Sequence, residues 1–144
     1  CRLTLLRSLR ARLTRRLSRE ARERIAERPE VSVHEFSPMM AAVRCLHRGG
    51  APILAGPDAP NDGTWFGASV HRELELLTLA GLSNEDSLRA ATANVADAFG
   101  LSDRGRIARG LRADLILVEG NPVRDITATR SIARVFKRGV PVSR

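Results

Sequence analysis

Apolar positions recur at helical spacing along the start of the chain: Leu6, Leu9, Leu13, Leu17, Ala21 and Ile25 share one face, with arginines on the others. This predicts an amphipathic helix over residues 2–28, ended by Pro29. Ser37 as N-cap and Pro38 at the first helical position predict a second helix running to about Arg48, with Gly49-Gly50 as its stop. The apolar run Ala51-Pro-Ile-Leu-Ala-Gly56 then reads as a short buried strand. Helix, glycine stop and apolar strand together make half of a β/α repeat, which implies parallel neighbours and an α/β fold.

Residues 57–68 are rich in Pro, Asn, Asp and Gly, carry the only Trp, and predict a loop. A helix follows from about Ser69 to Ala80, with Val70, Leu74 and Leu77 on one stripe and Gly81 as its C-terminal stop. Ser83-Asn-Glu-Asp86 is a capping box, predicting a helix that turns Leu88, Ala91, Val95 and Phe99 inward before Gly100. From Gly105 the period changes to that of short strands: Gly105-Arg-Ile-Ala108, Ala113 to Val118, Ser131 to Lys137 and Val140 to Val142. Arg109-Gly110, Gly120-Asn-Pro122 and Arg138-Gly139 supply turns between them. The expected organisation is a basic helix (1–30), a helical and strand-bearing part (31–102) and a small β module (103–144).

Composition adds boundaries to this picture. A chain of 144 residues with 43% hydrophobic residues can bury one ordinary core. No apolar run approaches the roughly 20 residues of a membrane span, and Leu3 to Leu6, flanked by arginines, is too short for a signal peptide. Cys1 and Cys45 make neither a disulfide framework nor a zinc-ligand spacing, so a reduced, cytoplasmic setting is expected. A chain that begins at cysteine suits a fragment or a processed product. The net charge of +8 is concentrated: residues 1–30 hold ten Arg against four Glu, a net +6, leaving +2 for the remainder. No aromatic residue interleaves those arginines, so base stacking has no platform and nucleic acid is not the expected partner.

One carboxylate stands out. Asp58 lies two residues past the last residue of the apolar run, at the strand end where parallel α/β folds build active sites, and a carboxylate there can bind a metal or take a proton. A turn or N-cap aspartate in Pro57-Asp-Ala-Pro60 is the simpler alternative. His71 falls on the helix after the loop, and a partly buried histidine without catalytic duty accounts for it equally well. His34 and His47 have no partner at ligand spacing; His47 reads as a helix C-terminal cation. Cys45 reads as a small core residue, and Asp62, Trp65 and Phe66 as either pocket lining or exposed loop.

Four segments, in order, resemble the metal-dependent amidohydrolase superfamily: Leu54 to Asn61; Gly67 to Leu82 with Ser87-Leu-Arg-Ala-Ala-Thr-Ala-Asn94; Phe99 through Gly105-Arg-Ile-Ala-Arg-Gly110 and Ala113-Asp-Leu-Ile-Leu117; and Asn121-Pro122 through Gly139. The resemblance runs from about residue 43 to the end. It implies the C-terminal fragment of a TIM-barrel amidohydrolase, holding the last barrel strand and following helices, plus part of a small β-sandwich composite domain. It further implies a divalent metal, zinc foremost, in the full-length relative, where Asp58 would both ligate the ion and accept the proton of attacking water. His71 would stand near a small amide-like substrate whose carbon–nitrogen bond is hydrolysed. Pro57 and Phe66 depart from the polar residues usual in the family at those positions.

A hydrolytic metal centre needs at least three protein ligands. This chain has no His-x-His and offers one ligand and one barrel strand, so by itself it is expected to bind no metal and to be inactive. The alternatives are a non-catalytic remnant that binds a partner chain or forms a homo-oligomer, and a nucleic-acid-binding protein using the basic helix, whose binding would weaken steeply with salt.

Overall fold

The computed structural model describes residues 33–61 and 63–142; the helix expected over residues 2–28 and Asp62 lie outside the described residues. Four α-helices come first: α1 (Val33–Arg48), α2 (Ala68–Ala80), α3 (Asn84–Ala90) and α4 (Ala93–Ala98). A three-stranded antiparallel sheet in the order β1-β2-β3 follows, formed by β1 (Leu115–Val118), β2 (Ile132–Lys137) and β3 (Val140–Pro141), with a 3₁₀ helix (Ile126–Arg130) between β1 and β2. The described residues therefore combine helices and strands, as an α/β reading requires. None of their helices is long and apolar enough to cross a membrane.

Helix α1 begins at Val33, five residues ahead of Pro38, which lies inside it and not at its start. Proline removes one ladder bond, to the carbonyl of His34, while its fixed φ remains helical. The half-buried stripe of Phe36, Met40, Val43 and His47 runs unbroken across it. Cys45 falls on the opposite face and is exposed, so it is not the core residue expected.

Three helices end in the same way. Gly50, Gly81 and Gly100 all take positive φ, and each following N–H (Ala51, Leu82, Leu101) reaches the carbonyl five residues back, at 3.0, 3.2 and 2.8 Å. These are Schellman caps, which only a residue without Cβ enters without strain, and each is closed by an apolar residue.

Residues 51–56, expected as a strand, form no ladder. A ladder needs a neighbour, and the three strands among the described residues all belong to the C-terminal sheet. The strand period survives nonetheless. Ala51, Ile53, Ala55 and Pro57 are half-buried, whereas Pro52, Leu54, Gly56 and Asp58 are exposed. Ile53 and Ala55 pack with Val43 against Leu77, Leu82 and Ala90. Two hydrogen bonds pin the segment to the helices: Ala55 N–H to the Ala90 carbonyl (2.9 Å) and Asn94 Nδ2 to the Ile53 carbonyl (3.0 Å).

Of the capping box, the Ser83 half is formed, and Asp86 returns to the Ser83 hydroxyl. Asp86 N–H donates to Ser83 Oγ (3.0 Å), and that hydroxyl donates to Asp86 Oδ2 (2.6 Å). The single helix expected after it is broken at Ala91-Thr92 into α3 and α4, and Thr92 Oγ1 bonds back to the Leu88 carbonyl (2.7 Å). The inward face also differs from the expected one: Ser87, Ala90, Ala93 and Ala96 are buried, while Phe99 is 71% exposed. Small side chains occupy this face because the 51–58 backbone approaches within hydrogen-bonding distance of it.

In the C-terminal module, Leu115 pairs with Phe136 and Ile116 with Val135, with an irregularity between Leu117 and Val118. Arg138-Gly139, both at positive φ, make the two-residue hairpin turn into β3. Gly105–Ala108 is not the strand expected: Ile107 is 90% exposed, and the segment is held by Gly105 against α4. The 3₁₀ helix, unforeseen in the sequence, is capped by Asp125, whose Oδ1 accepts from Thr127 N–H (3.0 Å), and it buries Ile126 and Thr129.

A Cβ at Gly105 would lie 2.5 Å from Ala96 Cβ and 2.9 Å from the Thr92 carbonyl, at a φ of +85°. Gly105→Ala is expected to cost about 2–3 kcal/mol in urea unfolding of the 144-residue chain. Gly56→Ala, with nothing within 4 Å of its Cβ, serves as the control and is expected to stay within about 0.5 kcal/mol of the parent.

Candidate active-site loop and the ion cluster behind it

The loop between the extended segment and α2 carries Asp58 at φ +49°, a left-handed conformation that short polar side chains tolerate. Asn61 shapes it: its Nδ2 donates to Asp58 Oδ2 (2.6 Å) and its backbone N–H to the Asp58 carbonyl (3.2 Å). The Thr64 hydroxyl in turn donates to the Asn61 carbonyl (2.8 Å). Trp65 and Phe66 are exposed beyond this turn, and Ser69 Oγ accepts the Trp65 N–H (2.8 Å) where the chain enters α2. Asp58 is thus an exposed carboxylate, oriented by an asparagine, at the carboxyl end of an extended apolar segment.

Among the described residues no group of three or more His, Cys, Asp or Glu side chains could hold a metal ion. A hydrolytic metal centre requires at least three protein ligands. The described residues around Asp58 therefore do not fit a metal centre by themselves.

His71 lies on α2 in a different setting, beside a carboxylate the sequence did not single out. Glu75 is 5% exposed on the same face, one turn further along. Arg130, from the 3₁₀ helix, donates through Nε to Glu75 Oε1 (2.6 Å), and Arg72 donates through Nη1 to Glu75 Oε2 (3.2 Å). His71 Nδ1 and Arg130 Nη2 are buried in this cluster without a hydrogen-bond partner. Burial holds the His71 pKa below its ordinary value, the Arg130 guanidinium lowers it further, and Glu75 partly offsets both. Burial also pushes the Glu73 carboxyl up.

Sequence reasoning missed Glu75 because its decisive partner lies 55 positions away. The available signal was local: an acid four residues after His71, next to the inward-facing Leu74.

His47 occupies the last turn of α1 as expected, with Nε2 3.7 Å from Asp86 Oδ2. The two face a shallow cleft of about 260 Å³ whose floor is Ala51, Pro52, Ile53 and Leu82. In the C-terminal module, Asp114 accepts from Lys137 Nζ (2.9 Å) and Arg138 N–H (2.8 Å), and these bonds hold its carboxyl below the usual range.

Residues 14–142 match the model of the amidohydrolase family, and the chain belongs to that family. The match begins well ahead of residue 43 and takes in most of the basic N-terminal segment. An imidazolonepropionase from Deinococcus deserti is 35% identical over 102 residues, covering 70% of this chain and 25% of that protein. An adenine deaminase from Geobacillus kaustophilus is 32% identical over 87 residues, covering 60% of this chain and 14% of that protein. Among solved structures, phenylurea hydrolase B superposes with a TM-score of 0.70 at 27% identity, over 89% of this chain and 32% of that one. The chain spans about a quarter of the length of the imidazolonepropionases it matches.

Glu75 is the group whose loss leaves the most charge uncompensated. Glu75→Gln is expected to destabilise the chain by about 3–5 kcal/mol, because Arg130 stays partly buried without a counter-ion. Arg72→Ala leaves the Arg130 contact in place and is expected to cost about 1 kcal/mol. Urea midpoints of the two variants check the order.

Proposed function

We propose that this chain is the C-terminal portion of a hydrolase acting on carbon–nitrogen bonds, other than peptide bonds, in small amide-like molecules. The observation that carries the proposal is Asp58, an exposed and hydrogen-bonded carboxylate at the end of an extended apolar segment, in a chain of the amidohydrolase family. Two of the matched proteins, an adenine deaminase and phenylurea hydrolase B, carry names in keeping with that reaction class.

In this reading residues 31–102 are the end of a (β/α)8 barrel, with 51–56 as its last strand. The alternation of half-buried and exposed residues supports that: one edge and one face are made for helices, the other for further strands. Residues 103–144 are the closing strands of a β-sandwich. Ile116, Val135, Val140 and Val142, all exposed and related by the register of the sheet, support a second layer there.

The Asp58 carboxylate accepts the proton of the attacking water, with Asn61 fixing the orientation of Oδ2. His71 is the weaker site residue; its place beside Glu75 and Arg130 favours a supporting role over substrate contact. A divalent metal, zinc foremost, belongs to the complete enzyme, and the ligands beyond Asp58 come from residues outside those described. The chain by itself is inactive.

The test uses a chimera of the Deinococcus deserti imidazolonepropionase whose C-terminal quarter is replaced by residues 43–144 of this chain. The chimera is expected to turn over that enzyme's substrate, and Asp58→Asn to lower kcat by about 10²–10⁴-fold with the fold intact. A folded, active chimera indifferent to Asp58→Asn would remove Asp58 from the mechanism.

A further inference from the structure

The contact between α2 and the 3₁₀ helix holds more positive than negative charge. With His71 neutral, Arg72 and Arg130 face the single carboxylate of Glu75. That carboxylate is 5% exposed and already accepts from both guanidiniums. A proton on His71 would add a second uncompensated positive charge to a place where Arg130 Nη2 and His71 Nδ1 are already buried and without partners.

Among the described side chains, the other elements packed on α2 bring no counter-charge to this end. The charges acting on His71 are Arg130 from the 3₁₀ helix and Glu75 from α2 itself. From α1, Arg44 Nε donates to the Ala80 carbonyl at the opposite end of α2 (2.8 Å). From α3, Asp86 is engaged by Ser83 Oγ and faces His47.

We propose that His71 is a pH-sensitive latch: protonation of its imidazole loosens the 3₁₀ helix from α2 and so frees the C-terminal sheet from the helical part of the chain. The direction follows from the charges. In the closed joint, burial and Arg130 oppose protonation, so His71 binds its proton only below its ordinary value of about 6.5. An opened joint, with His71 in water, binds it near that value. The grip is therefore at full strength above about pH 6.5 and is lost progressively as pH falls through the gap to the lower value of the closed form. The latch is independent of the hydrolase reading, because neither Asp58 nor any substrate takes part in it.

The experiment is amide hydrogen exchange of the full 144-residue chain at pH 7.5 and 5.5, corrected for the intrinsic pH dependence of exchange, with NMR titration of its three histidines. Residues 126–130 and the His71–Glu75 turn are expected to lose protection at the lower pH, by up to about tenfold. His71→Gln, which cannot charge, is expected to show the same protection at both. His71 itself is expected to titrate below its ordinary value. Equal loss of protection in His71→Gln, or a His71 that titrates at or above its ordinary value, would overturn the proposal. Should His71→Gln not fold, the titration of the parent chain decides by itself.

Discussion

The carboxylate of Glu75 is the buried charge at the joint between the helices and the C-terminal module of the described residues. It is buried on the same helix that begins at the end of the Asp58 loop, and it is held by an arginine from the 3₁₀ helix that leads directly into β2. A hydrophobic contact between the same elements would be stronger per area and more forgiving. An ion pair of this kind contributes geometry: the Nε–Oε1 contact fixes how far the 3₁₀ helix can slide along α2, and a buried charge left alone costs several kcal/mol. Ile126 and Thr129, buried from the same short helix, supply the apolar complement. The Asn84 Nδ2 bond to the Val123 carbonyl (3.0 Å) ties the same two parts a second time.

The core beside this joint is built largely of small side chains. Ser87, Ala90, Ala93 and Ala96 present a nearly flat surface, across which the 51–58 backbone lies close enough to bond to Ala90 and to be bonded by Asn94. Gly105 repeats the principle at α4, where even one methyl group would meet Ala96 on that same face. Backbone-to-helix approach, more than interlocking large side chains, sets the spacing of these layers.

This division also explains what could be read from the sequence. Local signals were legible: the Ser83–Asp86 capping box, the glycines after α1 and α2, the Leu74–Leu77 stripe and the Arg138-Gly139 hairpin all act within a few residues of themselves. The inward face of α3 and α4 was not, because a hydrophobicity pattern favours Leu88, Val95 and Phe99, whereas the close backbone selects Ala90, Ala93 and Ala96. The extended segment was legible in its period but not in its pairing, since a ladder depends on strands distant in sequence. Asp58 could be marked as a candidate by its place after an apolar run, and the family match agrees with the ordered motifs around it. The Glu75–Arg130 pair has 55 positions between its partners; the acid beside the inward-facing Leu74 was the one local sign of it, and nothing near it named Arg130 as its partner.

The alternation in residues 51–58 also bears on how the sequence can drift. Along an extended chain, one added or lost residue turns every following side chain to the other face. A single-residue insertion after Ile53 would carry Ala55 outward, present Leu54 to the helices and displace Asp58, together with the turn that Asn61 closes, relative to them. The stretch from Gly63 to Gly67 answers to no such parity, because its residues are largely exposed and the next fixed point is the start of α2. Length variation among relatives should therefore collect between Asn61 and Ala68 and be nearly absent between Ala51 and Asp58, so that the loop's size evolves while the aspartate's phase does not.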